Sequence, residues 1–371
     1  MKDELRHGHS MDTLSRLVIR AHVDSDQAVT PADLEQLRRD VRYVASLRGP
    51  QWADFLKLAD NHHVVVRALT VLQNGASLAD EKEVVELCES ALAAERARIE
   101  KAVGFLHSIC SGLEAGGCRV AVIKSLDHWP DLGSDLDLYT TAEDQRVEQV
   151  MRKEFKAQPV DRSWGDRLAN KWNYSMPGLP ELVEIHVQYL GQTGEHAELA
   201  RRVIHREVRK KVGGYDFMVP APEERIVISS LQRVYRHFYF RLCDMIDTAS
   251  LLQSGAVDFG ELKSAADSAG IWPGVATYLC LVQNYIQDYG GVVSLPDEVK
   301  TEAYTSESGV QFKNGYLRVS KTTAMGLYSL QLVEAGKHRD VRALLRLPLL
   351  PPLAISALVA HSLTGNDKGI W

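Results

Sequence analysis

Two aspartates, Asp135 and Asp137, stand two residues apart in the run Gly133-Ser134-Asp135-Leu136-Asp137-Leu138. Strand side chains alternate between faces, so both carboxylates project to one side while Leu136 and Leu138 face a core. Like charges set side by side repel, and folding alone gains little from placing them there. A divalent cation held between them makes sense of the pattern, because Mg²⁺ takes hard oxygen ligands, commonly one or two carboxylates plus substrate phosphates. A third acid, Glu184, lies in the alternating run Leu182-Val183-Glu184-Ile185-His186-Val187-Gln188, and His186 shares its face. If that strand lies beside the aspartate strand, the three carboxylates can hold two metals, one activating an attacking oxygen and one stabilising a leaving group. Ten residues before Asp135, Lys124-Ser125 ends the apolar run Cys118 to Lys124. A strand-to-turn junction there offers backbone N–H groups, a hydroxyl and an ammonium to phosphates.

The elements that must position these groups follow from periodicity. Thr30-Pro31 with Asp33 predicts a helix start, followed by a stripe of Leu34, Leu37, Val41 and Val44. A second helix is expected over 52–72, and a third from near Asp80 to the Gly116-Gly117 stop. The period then changes to short apolar runs at 118–124 and 136–140, a helix after Thr141, and a hairpin from 171–176 and 182–189 around Pro177-Gly178-Leu179-Pro180. Beyond it a basic helix is expected over 195–211, with a short hairpin around Gly213-Gly214. One long amphipathic helical stretch from Ile226 to Leu252 and weaker helices near 260–269, 274–287 and 322–336 follow. The proline-rich segment Leu347 to Leu353 reads as a packed strap. The fold class is therefore α+β: a small mixed sheet at 116–220 between helical regions at 1–115 and 221–371.

Composition narrows the function classes. The chain has 371 residues, and 43 Lys+Arg against 49 Asp+Glu give a net charge of −6. General nucleic-acid binding would favour a basic excess, so it is not expected. Five scattered cysteines without a CxxC pair argue against a disulfide framework or structural zinc. The opening MKDELRHGHSMDTL has no apolar stretch and does not read as a signal peptide. The apolar stretch Leu344–Leu363 is broken by Pro348, Pro351 and Pro352, so no membrane span is expected. A cytoplasmic protein is the expectation.

Lys124-Ser125 followed by Gly133-Ser134-Asp135-Leu136-Asp137-Leu138 resembles the signature of the DNA polymerase β-type nucleotidyltransferase superfamily. With Glu184-Ile185-His186 and Asp247-Thr248-Ala249 added, residues 52–253 resemble the bacterial family of uncharacterised nucleotidyltransferases. The resemblance implies a sheet that forms a nucleotidyltransferase palm. It also implies metal-dependent transfer of a nucleoside monophosphate from an NTP, with release of pyrophosphate. Asp135 and Asp137 would be metal ligands, and Glu184 would bind the catalytic metal or take the acceptor's proton. Lys124, Ser125 and Ser134 would belong to the nucleotide-binding turn. Ser125 stands where the family usually has glycine, Thr248 where it has an apolar residue, and the arginine common before the aspartate strand is absent.

His186 is expected to support the site rather than act directly. Arg233 and His237, on the helix after the sheet, are candidates for the acceptor side, His237 matching a family histidine. Arg201, Arg202, Arg206, Arg209, Lys210 and Lys211 read as the solvated face of one helix, or else as a surface that steers anions inward. The expected activity is an NTP-dependent, two-metal nucleotidyltransferase using Mg²⁺ or Mn²⁺, with ATP the first donor to test and a small-molecule hydroxyl, phosphate or amine as acceptor. The alternatives are transfer to a protein or tRNA, and a degenerate nucleotide-binding scaffold.

Overall fold

The computed structural model describes residues 2–23, 30–304 and 309–364. Five helices come first: α1 (Lys2–Val23), α2 (Pro31–Ser46), α3 (Pro50–Asn61), α4 (Val65–Leu78) and α5 (Lys82–Ala115). At the start of α2, Thr30 and Asp33 accept each other's backbone N–H, and Pro31 occupies the first turn. The single helix expected over 52–72 is two, because the chain turns at His62 and His63, the latter at φ 50°. That break is held by the buried His62 ring: Nδ1 accepts the Leu242 N–H at 2.9 Å and Nε2 donates to the Gly315 carbonyl at 3.0 Å.

The central sheet contains β1 (Val120–Val122), β2 (Asp135–Thr140), α6 (Asp144–Phe155), β3 (Gln158–Pro159), α7 (Trp164–Ala169), β4 (Lys171–Met176) and β5 (Leu179–Val187) in chain order. Its strand order is β1-β2-β5-β4-β3, with β2 and β5 parallel and the other neighbours antiparallel. Leu136, Leu138, Val183 and Ile185 are buried on one face, and α5 packs against β1, β5 and α6. Close approach of α6 needs a missing side chain, since a Cβ at Gly112 of α5 would meet the Phe155 ring at 2.5 Å. Helix α6 starts after Glu143, not at Thr141.

The basic segment is not one helix. It divides into α8 (Ala197–His205) and β6 (Glu207–Val212), which forms a hairpin with β7 (Tyr215–Pro220). The expected long helix from 226 to 252 is also interrupted. It comprises α9 (Pro222–Ser230), a π-helical turn at Leu231–His237, β8 (Tyr239–Phe240) and α10 (Leu242–Gln253). Phe238, at φ 57°, ends the π turn. The remainder is α11 (Phe259–Asp267), α12 (Trp272–Asp288), α13 (Asp297–Glu302), β9 (Gln311–Lys313), β10 (Tyr316–Arg318), α14 (Lys321–Lys337), α15 (Val341–Arg346) and α16 (Leu350–Thr364). The expected strap is helical, because Pro348 lies in a short 3₁₀ turn and Pro351 and Pro352 in the first turn of α16, where an N–H has no partner to lose. One core runs from Met11 in α1 to Leu327 in α14. Among the described residues, no helix is long and apolar enough to cross a membrane.

A buried ionic hub joins the three regions. The Asp131 carboxylate, from the loop before β2, accepts the Val66 N–H at 2.6 Å and the Arg67 N–H at 3.3 Å, satisfying the positive end of α4. The Arg67 guanidinium lies 3.4 Å from Asp131 and 2.7 Å from Asp247 of α10, and Asp247 also holds His128 Nδ1 at 2.6 Å. Asp247, the first residue of the Asp-Thr-Ala motif, thus anchors the turn that follows Lys124.

Removing one partner of a buried pair leaves an uncompensated charge. Arg67→Met should therefore cost about 3–5 kcal/mol in urea unfolding, with no equal loss for Arg201→Met on the exposed face of α8. Burial, above all, holds His62 down to about 4 from its ordinary 6.5. Between those values the unfolded chain binds a proton that the folded chain refuses, so stability falls as pH drops through that window. The slope from this group is at most about 1.4 kcal/mol per pH unit. Urea titrations across the window should show a shallower decline for His62→Gln.

Candidate active site

The register of β2 against β5 sets Asp137 directly opposite Glu184. Donor atoms of Asp137, Glu184 and His186 all lie within 4.8 Å of one another. Asp135 shares the face but pairs with Leu182, one step nearer the strand start, and stays outside that tight group. It marks the rim, where the exposed Ser134 hydroxyl lies 3.4 Å from its Oδ2. Leu136 and Leu138 point to the core, as the alternation requires.

Two ammonium groups neutralise the acids. Lys124 Nζ pairs with Asp137 Oδ1 and lies 3.5 Å from Glu184 Oε1. Lys171, at the start of β4, sits 3.0 Å from Glu184 Oε2 and 2.7 Å from Asp166. His186 Nε2 is 2.8 Å from Glu184 Oε1, while its buried Nδ1 has no hydrogen-bond partner. Burial pushes Asp137 up to about 7, with the Glu184 charge adding and Lys124 opposing. For Glu184 burial acts in the same direction, but Lys171, Lys124 and His186 outweigh it and hold the carboxyl well below its usual range. Burial lowers His186 to about 4, which keeps the ring neutral at physiological pH. Asp135 is raised, by burial first and then by Glu184.

Lys124 is the centre of a tight turn, with φ 62° and ψ −61°, closed by the Ser125 N–H on the Ile123 carbonyl at 2.6 Å. This is the strained, positive-φ form of a γ-turn. Ser125 itself is buried. Its hydroxyl accepts the Asp137 N–H at 2.7 Å and donates to the Asp135 carbonyl at 3.1 Å. The Ser125 side chain therefore ties the turn to β2, and its N–H is already used.

The π turn brings one further cation, Arg236, to the cleft, while Arg233 and His237 do not line it. Arg233 is buried and paired with Asp244 at 2.6 Å. His237 packs on Tyr239 and is held well below its usual range by burial, then by Arg236, Arg233, Arg241 and Lys124. A cavity of about 50 Å³ reaches the site through Lys124 and His186. Arg236, Gln232, the buried Glu195 and mostly apolar side chains, among them Leu350 from the C-terminal region, complete its wall, and the three carboxylates of the site lie outside it. Arg236 Nε is buried there without a hydrogen-bond partner. The basic run goes elsewhere: Arg202 and Arg206 pair with Glu224 and Glu261, and Lys210 donates to the Leu126 carbonyl.

Three residues that matter here are not singled out by sequence reasoning. Lys171 and Arg236 looked like ordinary charges, although Lys171 has the strand period that a shared face requires. Arg98, on α5, reaches the loop before β2, donating to the Leu132 carbonyl at 2.9 Å and pairing with Glu181 and Glu95. An arginine thus reaches the loop from a distant helix.

A small mixed sheet carries paired acids on one face and packs helices on the other, an α+β fold. The model of the uncharacterised nucleotidyltransferase family matches residues 48–287, and the chain belongs to that family. Among solved structures, it is similar to an antigenic nucleotidyltransferase-like protein from Paracoccidioides brasiliensis. That similarity has 14% identity and a TM-score of 0.33, covering 52% of this chain and 94% of that one. No curated protein matches.

The unequal acids make opposite forecasts for stability measured in EDTA above neutral pH. Asp137→Asn removes a carboxylate whose ionised form is disfavoured and should stabilise the fold by about 1 kcal/mol. Glu184→Gln removes the firmly ionised acid that Lys171, Lys124 and His186 share, leaving Lys171 to Asp166 and Lys124 to Asp137, and should destabilise it by about 3 kcal/mol. Equal shifts of the same sign in urea unfolding would contradict this charge assignment.

Proposed function

We propose that this chain is a metal-dependent nucleotidyltransferase that moves a nucleoside monophosphate from an NTP to a hydroxyl, phosphate or amine of a small-molecule acceptor, releasing pyrophosphate. The observation that carries the reading is the buried pairing of Asp137 with Glu184 across parallel strands, in a member of a nucleotidyltransferase family. Two carboxylates with a third at the rim suit a hard divalent cation, and Asp135, Asp137 and Glu184 would hold Mg²⁺ or Mn²⁺. Bound there, the cation would neutralise charge on the transferring phosphate and the leaving pyrophosphate.

The chain's own groups divide the remaining work. Glu184 stays anionic and suits holding a cation. Asp135, at the rim with its pKa raised, is better placed to take the acceptor's proton. Lys124 and Arg236, which line the adjoining cavity, would bind donor phosphates, with ATP the first donor to test. His186 orients Glu184, and His237 with Arg233 shapes the acceptor side. Net charge −6 favours a small acceptor over tRNA. A second reading, a retired site acting as a scaffold, draws on one observation: Lys124 already gives the carboxylates a cation.

A thermal-shift panel of four NTPs with Mg²⁺, Mn²⁺ or EDTA tests the proposal. One nucleotide should stabilise the protein only with metal, by about 2.7 kcal/mol at roughly 100 times Kd, and Asp137→Asn should abolish the gain. No shift under any condition would favour the retired site.

A further inference from the structure

We infer that Lys124 is a tethered counter-ion that occupies the cation position between Asp137 and Glu184 until a divalent ion displaces it, and that the displaced ammonium then serves the donor phosphates. The inference rests on the proposed metal site and adds an order of binding to it: metal first, donor second.

Three features support it. Lys124 Nζ contacts both carboxylates at once, which is where a bridging cation would be held. The lysine is presented by a γ-turn of positive φ, a backbone state that an L-residue occupies only when its surroundings impose it. The ion pairs on its ammonium and the Ser125 hydroxyl bonds on its neighbour are such surroundings. The same side chain also lines the neighbouring cavity, as does Arg236, whose Nε lacks a hydrogen-bond partner. The ammonium therefore has space to enter on leaving the acids, along a largely apolar wall that carries Gln192, Glu195 and Gln232 as polar groups, and a second cation, Arg236, there to share an anion with. Lys171 differs: Asp166 holds it from behind, so it remains on Glu184 as a fixed charge.

A site filled by its own side chain binds an external ion more weakly by the fraction of time it is filled, and removing the plug removes that penalty. Lys124→Met should thus bind Mn²⁺ alone about tenfold more tightly than the wild type, and bind a non-hydrolysable ATP analogue in saturating Mn²⁺ about tenfold more weakly. Mn²⁺ binding is read by EPR of the free ion. Because the variant leaves Asp137 without its cation, the wild-type protein supplies an independent measurement. Brief acetylation followed by mass spectrometry should find Lys124 protected in EDTA and several-fold more reactive with Mn²⁺, with Lys171 unchanged.

Mn²⁺ that binds the wild type, is lost in Asp137→Asn, and is not tightened by Lys124→Met overturns the counter-ion and leaves the metal site standing. Unchanged Lys124 reactivity on Mn²⁺ binding also overturns it. No Mn²⁺ binding by either protein removes the metal site, and the counter-ion with it.

Discussion

The structure turns on one constraint: β2 and β5 run parallel in a register that puts Asp137 and Glu184 side by side, mostly out of solvent. At an effective dielectric of about 20, two unit charges within 4.8 Å of each other repel by about 3 kcal/mol or more, a large fraction of a domain's stability. A fold tolerates that only with compensating cations. This chain supplies two, Lys124 from the turn after β1 and Lys171 from the edge of β4. The result is asymmetric. Glu184 has both lysines and His186, and stays ionised; Asp137 shares Lys124 and bears most of the repulsion. On the proposed function, a site with one firmly anionic acid and one poised acid, built on strands rather than loops, would accept a cation.

Holding Lys124 over those acids requires that the following turn not move. The Arg67 hub does this work. It links the loop before β2, the start of α4 and the middle of α10, so residues 125–131 are clamped from both helical regions. Removing the hub's long-range partners would loosen the turn even if the sheet survived. The C-terminal region closes the cleft from the other side. Arg346 donates to the Leu168 carbonyl at 2.5 Å, Arg342 donates to the Gly194 carbonyl at 2.6 Å, and Leu350 lines the cavity. Residues beyond the matched family region thus help to define the space beside the carboxylates.

The strand pairing was readable because period-two alternation is local. Asp135, Asp137, Glu184 and His186 announce their shared face through the leucines, valine and isoleucine between them. Boundaries failed where the backbone leaves the regular period for tertiary reasons. His62 breaks a helix because its ring is needed by Leu242 and Gly315, both far away in sequence. The helix expected after 226 stops at Phe238 because two residues there pair with β10 instead. The charged run at 201–211 carried no sign that half of it would form a strand, since Arg and Lys serve exposed strands and helices alike. Arg98 acts on partners that only the fold brings near, so no spacing could reveal it, whereas Lys171 has the strand period but needs the β4–β5 register to reach Glu184.

Serine at position 125, where the family usually has glycine, also has a physical explanation. The positive-φ position in this turn belongs to Lys124, while Ser125 opens a right-handed 3₁₀ turn, so no glycine is demanded there by conformation. Its hydroxyl does something glycine cannot: it bridges the turn to the backbone of both aspartates. The substitution trades a bare backbone approach to phosphate for a turn locked to β2, with the lysine ahead of it bent back over the carboxylates. On the proposed function, binding of phosphate at such a turn would fall to side chains, and Lys124 and Arg236 are cations that line the adjoining cavity.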